Sequence, residues 1–138
     1  LLTGIGIPIL AALNGGLGAR LGSPLAASTI LFGLAFLIAA TGALATGTFG
    51  QIRFSSDIPL HFYFGGLFVA FYVISVTFIA PKFGVGNAIF FVLVGQLASA
   101  AVIDHFALFG SMRFPVDAKR LAGIALMVAG VWLARRTG

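Results

Sequence analysis

Side chains able to do chemistry are scarce in this chain, and each stands inside or at the edge of an apolar run. Gln96 lies about ten residues into one such run, with Ser99 one helical turn on and on the same side. A glutamine there offers two donors and an acceptor, enough to hold an amide, a hydroxyl or a cation. Its alternative use is a hydrogen bond to another helix, worth about 0.6 kcal/mol in a bilayer. Asn14 sits in a Gly-rich segment six residues after Pro8, a proline able to kink a helix and free a carbonyl. Asn14 serves either a binding site or the C-terminal cap of its helix ahead of Gly15 and Gly16. Tyr72, about twelve residues past Leu60, is deep enough that its hydroxyl needs a partner or a water-filled cavity.

Asp104 is the one carboxylate inside an apolar run away from its start, and His105 follows it, so this pair is a candidate for proton coupling. Counted from Gly86 at ~1.5 Å per residue, however, Asp104 lies about 27 Å along its helix, near the far interface. There it can instead form an ion pair with Arg113 or Arg120. His61 and His105 lack the spacing of a metal site, and the absence of cysteine excludes thiolate ligands and disulfides. No nucleophile–base pair, phosphate loop or pair of acids is present. The expectation is no catalytic residue, no metal and no cofactor.

The elements that must position these residues follow from composition. Of the 138 residues, 60% are hydrophobic and 8% charged; a water-soluble domain carries about 25% charged residues, because most of its surface faces water. Lipid is therefore the main solvent. Charges next to Pro or Gly divide the chain into five apolar runs, roughly residues 2–19, 24–48, 60–80, 86–109 and 116–134, each close to the ~20 residues that cross a bilayer as a helix. The fold expected is all-α, a single integral membrane domain of five transmembrane helices. The fifth run is short unless its helix begins near Pro115 with Asp117 at its N-terminal end; otherwise it lies at the interface. The first run has no basic stretch before it and reads as structure rather than a signal peptide.

Eight basic residues give a net charge of +5, yet they are scattered singly or in pairs between the runs, which argues against a nucleic-acid surface. In a membrane protein such charges set orientation. If all five runs span, one side carries Arg53, Arg113, Lys119 and Arg120 and the other Arg20, Lys82, Arg135 and Arg136. The sides balance, so no orientation is preferred. Such a chain can insert both ways and assemble head to tail as an antiparallel homodimer, or as a heterodimer with a related chain. Small residues offer close helix contacts: Gly4, Pro8, Ala12 and Gly16 in the first run, Ala39, Ala43 and Gly47 in the second, Gly95 with Ser99 in the fourth, and Gly123 with Gly130 in the last. The cluster from His61 to Phe64 suits an interfacial aromatic belt.

The segment Asn14-Gly-Gly-Leu-Gly-Ala-Arg-Leu-Gly-Ser-Pro24, with Gly95-Gln96, Ser99, Asp104-His105-Phe106 and Gly110, resembles the YdcZ-like family of the drug/metabolite transporter superfamily. The likeness continues through Gly65-Gly66, the run from Ala80 to Gly84, Leu121-Ala-Gly123 and Ala129-Gly130. Leu10 departs from it, where relatives are expected to carry Gln one turn before the Asn. The resemblance implies a bacterial inner-membrane protein equivalent to half of an inverted-repeat, ten-helix transporter. It would work as an antiparallel pair and export a small drug or metabolite by alternating access. Residues matching the family pattern are Asn14, Gln96, Ser99, Asp104 and His105. A passive ion channel and a non-transporting assembly subunit remain the alternatives.

Overall fold

A serine and a glycine set the first turn of the fold. In the computed structural model, which describes residues 2–52 and 58–134, α1 (Leu2–Leu21) ends at Gly22, whose φ of +65° suits a residue without a side chain. Ser23 then caps α2 (Pro24–Ala45): its Oγ accepts from the Ala26 amide at 3.1 Å, and Pro24 occupies the first helical position. After 3₁₀ turns at Thr48–Gln51 and Leu60–Phe64 comes α3 (Gly65–Phe83). α4 (Val85–Phe106) and α5 (Ala118–Ala134) follow, with a 3₁₀ turn at Leu108–Gly110 between them. The described residues contain these five α-helices and no strand. Arg53, Arg135 and Arg136 of the charge count lie outside the described residues.

Among the described residues, four helical segments are long and apolar enough to cross a membrane: α1, α2, α4, and α3 together with the turn that precedes it. α5 has 17 residues. It starts at Ala118, three residues later than a start near Pro115 would give, because Asp117 acts as its cap: the Asp117 Oδ1 accepts from the Arg120 amide at 2.7 Å.

The chain forms two compact units, Leu1–Lys82 and Phe83–Gly138. In the first, small and polar residues are buried and large apolar ones are not. Asn14 is 4% exposed and Thr77 2%, with Ala11, Ala27, Ser28, Val73, Val76 and Ala80 also buried, while Phe36 and Phe71 are 71% and 72% exposed. This inverts the pattern of a protein folded in water. It is the pattern expected where lipid solvates the outer face and helices associate by backbone approach and polar contacts.

The contact face of α1 is Ala11, Asn14, Gly15 and Gly18. A methyl group on Gly15 would lie 3.2 Å from Cγ of Pro81, and one on Gly18 would lie 3.2 Å from both Cα of Pro24 and Cγ2 of Thr77. The stripe Gly4, Pro8, Ala12 and Gly16 is not that face: Gly4 has nothing within 4 Å, Gly16 only the Arg20 side chain, and Ala12 is exposed. Residues four apart step about 40° around a 3.6-residue helix each time, so that stripe winds away from any one neighbour. The observed spacing of i, i+3, i+4 and i+7 does not.

In the second unit α4 packs on α5. Ala107 closes α4 in the left-handed region at φ 51°, and Phe109 follows at φ 55°. Both are conformations in which a side chain crowds its own backbone.

Candidate functional site

α1 continues seven residues past Asn14, so Asn14 is an interior residue and the C-cap reading is excluded. Its Nδ2 donates to Oγ1 of Thr77 at 2.6 Å, and that hydroxyl donates in turn to the Val73 carbonyl at 2.7 Å. The Thr77 bond to its own helix satisfies the hydroxyl hydrogen and leaves the oxygen to receive Asn14. Thr77 was not singled out from sequence. The available signal was a polar residue within the apolar third run, next but one to Ser75.

Tyr72 lies five residues before Thr77 on α3, half-buried. Its hydroxyl oxygen is buried and has no hydrogen-bond partner, the one such side-chain atom among the described residues. An unsatisfied buried hydroxyl costs about 1–3 kcal/mol, so a group at this position that receives or supplies a hydrogen bond gains a place to dock.

In the second unit, Gln96 falls at the middle of α4 and is exposed. Ser99, also exposed, donates its hydroxyl to the Gln96 carbonyl at 3.1 Å, which binds it to the helix backbone. The end of α4 is different. Asp104 Oδ2 accepts from Nη2 of Arg120 at 2.6 Å, so of the two arginines within reach by sequence it is Arg120 that it meets. Both partners keep about a third of their side-chain surface exposed, at 32% and 31%. Arg120 also donates through Nη1 to the Phe114 carbonyl at 3.3 Å, and the Phe114 amide donates to the Asp104 carbonyl at 2.9 Å. His105 Nδ1 accepts from the Val116 amide at 3.0 Å. A recess of about 390 Å³ between α4 and α5 is lined by Ala98, Ala101, Val102, His105, Val116 and Leu121, among others.

The structure therefore places Asn14 and Tyr72 in one unit and Gln96, Ser99, Asp104 and His105 in the other, and pairs Asn14 with Thr77 and Asp104 with Arg120. Among the described residues no group of three or more His, Cys, Asp or Glu side chains stands together to hold a metal.

Apolar helices of membrane-crossing length, with small and polar residues turned inward, define a multi-pass helical membrane protein. The chain belongs to the family described as "Putative inner membrane exporter, YdcZ", whose model matches residues 1–133. The match takes in almost the whole sequence and bears out the resemblance carried by the segment from Asn14 to Pro24. Membership makes the chain a membrane transporter. No curated protein and no solved structure matches it.

Proposed function

We propose that this protein exports a small organic solute by alternating access, as one half of an antiparallel pair that contributes ten helices in all. The observation that carries the reading is the Tyr72 hydroxyl, buried and without a partner on a helix whose neighbouring turn holds the Asn14–Thr77 pair. Polar groups at such depth are costly in lipid and mark solute pathways by default. The side chains proposed for solute contact are Asn14 and Tyr72 in the first unit and, taken separately, Gln96 and Ser99 in the second. All are uncharged hydrogen-bonding groups, which suits a solute recognised through hydroxyl, amide or amine groups. Asp104 is engaged by Arg120 and is given no part in solute contact.

The antiparallel pair is supported by the sequence count of Lys and Arg, which leaves neither orientation preferred when all five runs cross the membrane. The test is a solute screen on the purified protein in lipid, read as ligand-dependent thermal stabilisation and followed by transport in vesicles. Gln96→Ala and Tyr72→Phe should each weaken the stabilisation given by the solute that wild type recognises. If both leave binding and transport untouched, these side chains do not form the site.

A further inference from the structure

The connection between α4 and α5 is tied to three consecutive residues at the end of α4. Ser111 Oγ donates to the Ile103 carbonyl at 3.3 Å, the Phe114 amide to the Asp104 carbonyl at 2.9 Å, and the Val116 amide to His105 Nδ1 at 3.0 Å. Arg120 adds the ion pair to the Asp104 carboxylate. Carbonyl acceptors are permanent. The imidazole acceptor is not, because it exists only while the ring is neutral, and histidine is the side chain that changes charge between about pH 5 and 8.

The tautomer follows from the partner. A main-chain N–H can only donate, so the ring nitrogen facing Val116 must hold a lone pair, and the neutral ring must carry its hydrogen on Nε2. Protonation places a second N–H on Nδ1, aimed at the Val116 N–H. Two donors then face each other and the bond is lost.

We propose that His105 is a proton-binding site that controls the attachment of Val116 at the approach to α5: neutral, it holds the Val116 amide, and protonated, it lets that amide go while the Ser111 and Phe114 ties remain. The charged groups on the elements packed against it are Arg113 and Asp117 on the connection and Lys119 and Arg120 on α5, with Asp104 beside it on α4. The two carboxylates are already engaged, Asp104 by the Arg120 guanidinium and Asp117 by the Arg120 amide. Val116 and His105 both line the recess between α4 and α5, so release of Val116 alters that wall. The inference concerns the second unit alone and stands whether or not the proposed solute site is right.

Two measurements on the full-length protein in lipid nanodiscs test it. The first is the ¹⁵N spectrum of histidine-labelled protein, in which His105→Asn identifies the signal by removing it, and His61→Gln does so if that variant fails to fold. The neutral ring should show its hydrogen on Nε2. The second is hydrogen exchange at the Val116 amide, taken as protection relative to the intrinsic rate at about pH 8 and about pH 5.5. Wild type should lose protection about tenfold on acidification, the size of one hydrogen bond. His105→Asn, whose amide oxygen accepts without titrating, should hold its protection. A hydrogen on Nδ1, an unchanged wild type, or an equal loss in both proteins would overturn the proposal.

Discussion

Gly18 stands where three helices meet, and filling its missing side chain tests that junction. In Gly18→Ala the new methyl would lie 3.2 Å from Cα of Pro24, 3.2 Å from Cγ2 of Thr77 and 3.6 Å from Cβ of Ala27. Carbon atoms pack at about 3.5–4.0 Å, so the first two neighbours must yield by a few tenths of an ångström. Neither does so freely. Pro24 offers backbone in the first turn of α2, fixed by the Ser23 cap. The Thr77 methyl cannot swing away unless its hydroxyl leaves Asn14 or Val73. Overpacking of this kind costs about 1–3 kcal/mol, offset by about 1 kcal/mol of helix propensity gained over glycine. The expected net loss is about 1 kcal/mol. Gly33→Ala, where the added methyl meets nothing within 4 Å, carries the propensity gain alone and should be neutral or slightly stabilising. Reversible unfolding of both variants in lipid or mixed micelles gives the comparison. Equal stability would refute the packing of α1 against α2 and α3.

Three further substitutions separate structure from function. Tyr72→Phe removes a buried hydroxyl without a partner, so the solute-free protein should be as stable as wild type or gain up to about 1–3 kcal/mol while solute-dependent stabilisation falls; paired melts with and without solute decide it. Asp104→Asn breaks an ion pair a third exposed at each end, so unfolding should show a loss of roughly 1 kcal/mol or less, with solute affinity unchanged. A loss of solute binding instead would show that Asp104 takes part in solute recognition. Ala107→Gly relieves a left-handed residue at the end of α4 and should raise stability by about 1 kcal/mol, read by the same unfolding experiment.

The five helices were legible because lipid leaves a chain few choices. With no water to satisfy backbone groups, each apolar run must bond within itself, and charges beside Gly and Pro mark where the runs stop. The faces were not legible. Apolar residues surround every side of α1, so no amphipathic stripe points inward, and Gly is frequent enough to suggest several seams. Asn14 decides the matter: Gly15 beside it and Ala11 and Gly18 about one turn on either side form the buried face, and the two glycines bring α1 close to Pro81, Pro24 and Thr77. Thr77 escaped notice because a threonine in a helix can bond its own backbone and so raises no alarm by itself. At the other end of the chain, sequence offered Asp104 two arginines. The Asp117 cap, by starting α5 at Ala118, puts Arg120 in its first turn, where it meets Asp104.

The antiparallel pair is the central claim, and the sidedness of a C-terminal tag in intact cells tests it most directly. These 138 residues contain no cysteine, so a single cysteine in a tag appended to them, labelled with an impermeant thiol reagent, reports one position only. An equal split between inside and outside, with crosslinks between copies of opposite orientation, is the expected result. A single orientation in every molecule would contradict the account.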